Sequence, residues 1–127
     1  MNRVKTGIPG FDSLVKCGLI EGSTILVSGR TGTGKTIFGL QFLYHGAVKH
    51  NDHGVFVTLE TRPHLLRAQA MGFGWDLKKL EDEDKIIIID AASSKAGLPT
   101  SEKFALKRGF DITSFAEEIY QAVDHCG

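Results

Sequence analysis

The sequence is short of most residues that would place it in a special class. Its 127 residues hold two cysteines, Cys17 and Cys126, which form neither a CxxC pair nor a metal-ligand spacing. That excludes a disulfide scaffold and predicts free thiols. Only three prolines are present, and no glycine period accompanies them, which excludes a collagen-like chain. Neither sign of charge is in surplus: 15 Lys and Arg face 15 Asp and Glu, so the whole chain offers no electrostatic footprint for nucleic acid or for an anionic membrane. The longest purely aliphatic run, Ile86 to Ile89, is far short of the roughly 20 residues that cross a bilayer. The opening Met1–Gly7 leads into no apolar run, so no secretory signal is expected. The expectation is a soluble, cytoplasmic chain without a membrane partner.

What remains is ordinary globular usage, 42% hydrophobic and 24% charged, in one domain spanning residues 1–127. Glycine is the exception, at 15 of 127 residues, about 12% against a background of about 7%. Residues 23–28 (Ser-Thr-Ile-Leu-Val-Ser) predict a short buried strand ending at Gly29. From Lys35, the positions Ile37, Leu40, Phe42, Leu43, Tyr44 and Ala47 keep helical spacing until Asn51 to Gly54 stop the helix. Val55–Leu59 predicts a second strand, ending at Glu60, and Pro63 opens a helix that runs to Gly72. Lys85–Asp90 predicts a third strand, buried on both faces because four isoleucines follow one another. Residues 91–110 predict a long loop, followed by a helix from Asp111 or Ser114. Ser114-Phe115-Ala116-Glu117 fits a capping box, and Ile112, Phe115, Ile119 and Val123 supply an apolar face that ends before Gly127. Strands alternating with helices predict an α/β fold with a parallel sheet. Three strands are few for such a sheet, and the tally suggests half of a fold.

One segment carries chemistry. Gly29-Arg30-Thr31-Gly32-Thr33-Gly34-Lys35-Thr36 satisfies G-x-x-x-x-G-K-[ST] at every fixed position, between a predicted strand and a predicted helix. Glycines let the backbone turn so that successive N–H groups face one concavity, and the helix start adds further donors. Lys35 can reach β- and γ-phosphates, and the Thr36 hydroxyl can ligate Mg²⁺. The segment predicts binding of a nucleoside triphosphate. Hydrolysis also needs a carboxylate that orients water and an acidic partner for the metal. Glu60 and Asp90 both stand at strand ends, where functional groups of open α/β sheets gather. Either could instead cap the loop or helix that follows.

These residues and their flanks resemble the KaiC-type ATPases of the RecA superfamily. The resemblance begins at Lys5-Thr6-Gly7-Ile8-Pro9-Gly10-Phe11-Asp12 and passes through Glu21-Gly22-Ser23, the phosphate loop and Gln41-Phe42-Leu43-Tyr44. It continues at Val57-Thr58-Leu59-Glu60, Gly72-Phe73-Gly74-Trp75-Asp76-Leu77 and Gly109-Phe110-Asp111-Ile112. It implies a RecA-like P-loop NTPase core with an incomplete parallel sheet and flanking helices. It also implies ATP with Mg²⁺ as ligands and a homo-oligomer, commonly a hexameric ring. Lys35 and Thr36 then take the phosphate and magnesium roles, and Glu60 matches the water-activating glutamate. Many relatives carry a second glutamate where this chain has Thr61. The family's Walker B aspartate sits on a strand that would follow residues 111–124, whereas Asp90 belongs to an earlier strand. The chain therefore resembles an N-terminal half-domain, to be completed by self-association or by a complementing polypeptide.

Two rival readings stay open at this point: a non-catalytic nucleotide-binding or interaction module, and a DNA-recombination-type ATPase. Other features have plainer accounts. His50 and His53 predict solvated side chains rather than a metal site. Trp75 predicts a packing anchor rather than a base-stacking platform. The basic stretch Lys103, Lys107 and Arg108 with Phe104 predicts a solvated loop rather than a single-strand contact, and Glu81–Asp84 a solvated acidic turn. A sheet with open edges and uncovered helix faces predicts marginal stability or association. Sedimentation and denaturation should therefore show self-association or a low, broad unfolding transition. A monomer that unfolds in one sharp step would contradict this.

Overall fold

In the computed structural model, residues 2–30, 32–105 and 112–126 are described. They fall into two compact units, residues 1–52 and 53–127.

The first unit is organised around a short carboxylate. Asp12 begins a single helical turn, α1 (Phe11–Leu14), and one oxygen of its carboxylate accepts the Thr6 backbone N–H at 2.9 Å and the Thr6 hydroxyl at 2.7 Å. The other oxygen accepts the Gly7 N–H at 3.2 Å. Thr6 is fully buried, so its hydroxyl needs this partner. Burial pushes the Asp12 carboxyl up from its ordinary value, but the bonds from Thr6 and Gly7, with the nearby His45, outweigh it and hold the group below the usual range.

Gly7 adopts φ +74°, and a Cβ there would meet the His45 ring at 1.9 Å, so only glycine fits both the backbone and the space. Two short strands, β1 (Arg3–Val4) and β2 (Leu19–Ile20), pair antiparallel. α2 (Lys35–Lys49) buries Leu40 and Ala47, and Phe38 meets Phe11 edge to face at 5.4 Å. Asn51, at φ +53°, and the Asp52 N–H donated to the Gly46 carbonyl end this helix where the sequence predicts.

Residues 23–28 depart from expectation. They form no regular element, and Ile25, Leu26 and Val27 are exposed at 48%, 88% and 43%. A strand exists through its hydrogen-bonded neighbour. Among the described residues none pairs with this segment.

The second unit is built on two parallel strands, β3 (Gly54–Thr58) and β4 (Ile86–Asp90), in the register Gly54 to Ile86 and Thr58 to Asp90. β4 is buried along its whole length, as four consecutive isoleucines predict. The crossover between the strands contains α3 (Pro63–Gly72) and α4 (Leu77–Asp82). Pro63 opens α3, and Leu66 and Ala70 are its buried face.

α4 replaces part of the expected acidic turn. Asp76 caps it by accepting the Lys79 N–H at 3.2 Å, and Leu77 and Leu80 are buried. Glu81 is accordingly not a freely solvated charge. Its carboxylate takes two bonds from the Arg67 guanidinium, at 2.7 and 2.8 Å, while Glu102 takes two more at 3.0 and 2.5 Å. Such paired contacts suit the planar guanidinium fork.

After a short turn of helix, α5 (Ala92–Lys95), the chain returns so that Ala105 bridges Asp90. α6 (Ile112–Cys126) places Ser114 inside the helix, not at its cap, and Asp111, the other expected start, lies outside the described residues. So do the basic pair Lys107 and Arg108, the segment Gly109–Asp111 and Gly127. The helix packs Ile119 and Ala122 on Ile87 and Ile89, whereas Val123 is 53% exposed. Of the predicted stripe, Ile119 finds cover and Val123 does not, while the side chains of Ile112 and Phe115 lie outside the described residues.

Asp90 closes this unit. One carboxylate oxygen accepts the Ser93 N–H at 2.9 Å; the other accepts the hydroxyls of Ser93 at 2.6 Å and Thr100 at 2.7 Å. Burial pushes this carboxyl up as well, and again the hydrogen bonds from Ser93 and Thr100 prevail and leave it below its ordinary value.

Two outcomes follow. Gly7→Ala should destabilise the protein by about 2–4 kcal/mol, from left-handed strain and the clash with His45, measured by urea unfolding. Because the folded values of Asp12 and Asp90 lie below the unfolded one, their stabilisation is complete above about pH 4 and is lost as pH falls through the folded values. Stability against urea should thus decline in acid below about pH 4, and Asp90→Asn should flatten that decline.

Candidate functional site

The glycine-rich loop is folded as a turn that opens a helix. Gly32 and Gly34 sit at φ +85° and +91°, in the left-handed region that glycine enters without penalty. Gly29 has a different reason to lack a side chain: a Cβ there would meet the Thr33 hydroxyl at 2.6 Å. Thr33 in turn ties the loop to itself, its N–H and hydroxyl both donated to the Arg30 carbonyl at 3.2 and 2.7 Å. Thr31, the remaining residue of the predicted set, lies outside the described residues.

Gly34 is the N-cap of α2, and the first helical bond is from the Phe38 N–H to its carbonyl at 2.8 Å. The N–H groups of Lys35, Thr36 and Ile37 therefore have no acceptor within the helix. The first turn carries no acidic side chain, so nothing of negative charge competes for these donors from within it. The Lys35 ammonium reaches back across the loop to the Gly29 carbonyl at 2.6 Å. Thr36 stands exposed in the first helical turn. Donors, a cation and a hydroxyl thus converge on one exposed loop, an arrangement suited to a polyphosphate and a metal ion carried with it.

Glu60 belongs to the second unit, two residues beyond β3. Its side chain is 83% exposed and lies 3.5 Å from the Lys95 ammonium, a surface pair of small energetic weight. Thr61, the residue that departs from the resembled pattern, accepts the Thr58 hydroxyl on its carbonyl. Asp90, the other strand-end carboxylate, is 1% exposed, and both of its oxygens are engaged by Ser93 and Thr100. The plainer reading of Asp90, as a cap for the chain that follows it, is the one realised.

The sequence reading missed Arg62, Ser93 and Thr100 as parts of this region. A usable signal was present: a carboxylate at a strand end with a hydroxyl residue three positions on marks a local side-chain cap. Among the described residues no three His, Cys, Asp or Glu side chains cluster to hold a metal, and His50 packs instead against His45 at 5.4 Å. Trp75 stacks on Phe73 at 4.9 Å, in keeping with a packing role. Among the described residues no helix is long and apolar enough to cross a membrane.

Comparison with known proteins places this loop in context. The family model for the KaiC ATPase matches residues 4–127. The circadian clock oscillator protein KaiC of Acaryochloris marina is 42% identical over 122 residues, which cover 96% of this chain and 23% of that protein. The KaiC of Synechococcus elongatus is 43% identical over 121 residues, 95% of this chain and 22% of the relative. A UPF0273 protein of Methanocaldococcus jannaschii is 41% identical over the full chain, which spans 53% of it. The crystal structure of a KaiC-like protein from Pyrococcus horikoshii matches with a TM-score of 0.80 at 42% identity, over 98% of this chain and 49% of that one. The chain thus spans under a quarter of the clock proteins and about half of the archaeal relatives. Such agreement along nearly the whole sequence, together with an α/β architecture and a phosphate-type loop, supports a nucleotide-binding P-loop protein, and the chain belongs to the KaiC family of RecA-type ATPases.

Proposed function

We propose that this chain binds ATP with Mg²⁺ on residues Gly29 to Thr36 as part of an incomplete RecA-like ATP-binding domain, residues 1–127, and that it hydrolyses ATP within an assembly. The observation that carries the reading is the loop itself. Left-handed glycines, uncompensated N–H groups at the start of α2 and the Lys35 ammonium are presented by one turn with no acidic side chain in the first turn of the helix. Backbone N–H groups of Gly29, Arg30, Thr31, Gly32 and Gly34 would hold the phosphates, joined by that of Thr33 once it leaves the Arg30 carbonyl. Lys35 would balance charge on the β- and γ-oxygens, and Thr36 would supply a hydroxyl ligand to Mg²⁺. Held by Thr36, the ion would supply positive charge to offset that of the phosphates. Glu60 would orient a water molecule for in-line attack, its exposed carboxylate standing at the carboxyl end of β3 as sites in parallel sheets do.

Assembly with further copies or with a complementing polypeptide would supply cover for the exposed Ile25, Leu26 and Val27. The balanced charge of the chain gives no support to a nucleic-acid partner.

A second reading has one observation in its favour. Thr61 stands where the resembled family often has a second glutamate, and its carbonyl is already used by Thr58. On that reading the chain is a nucleotide-binding module without turnover.

Titration with a fluorescent ATP analogue tests binding, and a single-turnover assay of phosphate release separates the two readings. Lys35→Ala should weaken binding by about 10- to 150-fold, the loss of one charge-assisted contact. Glu60→Gln should leave binding intact and abolish phosphate release in a single-turnover assay. Wild-type binding without phosphate release, even at high protein concentration, would establish the second reading instead.

A further inference from the structure

Between Thr58, the last residue of β3, and Pro63, the first of α3, the chain makes a short turn that carries Glu60. No ladder or helix holds this turn, and Leu59 and Glu60 are exposed. Its entry is fixed by the Ala91 N–H, which donates to the Thr58 carbonyl at 2.9 Å, and its middle by the Thr58 hydroxyl on the Thr61 carbonyl. Its exit is fixed by Arg62. The Arg62 Nε donates to the Ser93 hydroxyl oxygen at 3.1 Å, and a terminal nitrogen donates to the Pro99 carbonyl at 2.9 Å.

The directions of these bonds are consistent. A hydroxyl has one proton to give and two lone pairs. Ser93 gives its proton to Asp90 at 2.6 Å, which leaves a lone pair for Arg62. The relay from guanidinium to hydroxyl to carboxylate ends on a group that is 1% exposed and held by three hydrogen bonds. Each bond polarises the next.

Arg62 occupies the N-cap of α3, a position where short polar side chains serve the helix, yet its side chain makes no capping bond. It reaches away from the helix to Ser93 and Pro99. We propose that Arg62 is a positioning residue for Glu60: through Ser93 it anchors the Glu60 turn to the buried Asp90 carboxylate. This rests on the reading of Glu60 as the group that orients water, and it assigns Arg62 no contact with the nucleotide. The planar fork matters, because a lysine can place one charge but cannot hold two acceptors in fixed directions.

The test compares the full-length wild type with Arg62→Ala and Arg62→Lys. Three quantities are read: amide exchange at the two ends of the turn, where the Ala91 and Leu65 N–H groups donate to the Thr58 and Arg62 carbonyls, the affinity for MgATP, and single-turnover phosphate release. Amides of Val55–Val57 and Ile87–Ile89 report whether the strands stay folded. Arg62→Ala should speed exchange of the turn by about tenfold or more with the strand amides unchanged, and it should slow phosphate release by about 10- to 100-fold without altering MgATP affinity. Arg62→Lys should fall between it and the wild type in both readouts, the partial rescue that the second acceptor predicts.

Wild-type exchange in the turn of Arg62→Ala, or a loosened turn with an unchanged rate of release, would overturn the proposal. If Arg62→Ala loosens turn and strands together, Arg62→Lys decides: with folded strands, a loosened turn and slowed release support the tie, and wild-type values refute it. Should the wild type bind MgATP and release no phosphate while Arg62→Ala still loosens the turn alone, the anchoring stands and the hydrolytic reading of Glu60 fails.

Discussion

Parallel pairing imposes a geometry that everything in the second unit obeys. Two parallel strands must send their outgoing chains from the same end, so register alone decides which residues meet there. With Thr58 opposite Asp90, the segments that begin at Leu59 and Ala91 leave side by side. Glu60, Arg62, Ser93 and Lys95, far apart in sequence, become neighbours for that reason. A shift of one residue in register would exchange the two buried faces of β4 and separate Arg62 from Ser93 in the same stroke. The placement of candidate chemistry is thus inherited from the packing of β4.

The two units solve a shared problem in the same chemical way. Each has a backbone turn that lacks a ladder, and in each an aspartate gathers nearby N–H and O–H donors. Asp12 uses Thr6 and Gly7; Asp90 uses Ser93 and Thr100. A carboxylate suits this task because it only accepts and offers several lone pairs on a short stem. In both places hydrogen bonding outweighs the cost of burial and holds the carboxyl below its ordinary range. Among the described residues no lysine or arginine pairs with either carboxylate.

Much of this could be read from the residues, and the failures have a common cause. The phosphate loop, the stop of α2 at Asn51, the start of α3 at Pro63 and the buried β4 are set by local rules: glycine conformations, a fixed proline φ, a run of isoleucines. Residues 23–28 have the composition of a strand but pair with none among the described residues, because a strand is a property of two segments and periodicity reports only one. Glu81 looked like solvated charge because its partner, Arg67, lies 14 residues away on another helix. Val123 shares a stripe with Ile119 but is half exposed, because helical spacing marks a face and not how far its cover extends. Lys35 in the glycine-rich loop and Glu60 after β3 were legible as candidates by type and position. The route from Arg62 to Asp90 was not, since it runs through a serine on a different segment.

The knot at Asp90 also sets where the chain can change length. It fastens the segment after β4 at Ser93 and again at Thr100 and Ala105, while its outermost stretch turns at Gly97, φ +71°, in the open. Closing a loop becomes only slowly more costly as it lengthens, by about 0.6 kcal/mol for each doubling. With both ends fixed independently of the tip, added residues near Ala96 and Gly97 would cost little entropy and disturb neither fastening. The excursion is therefore a place, among the described residues of this unit, where new sequence could be accommodated, beside the carboxyl end of the sheet yet outside its packing.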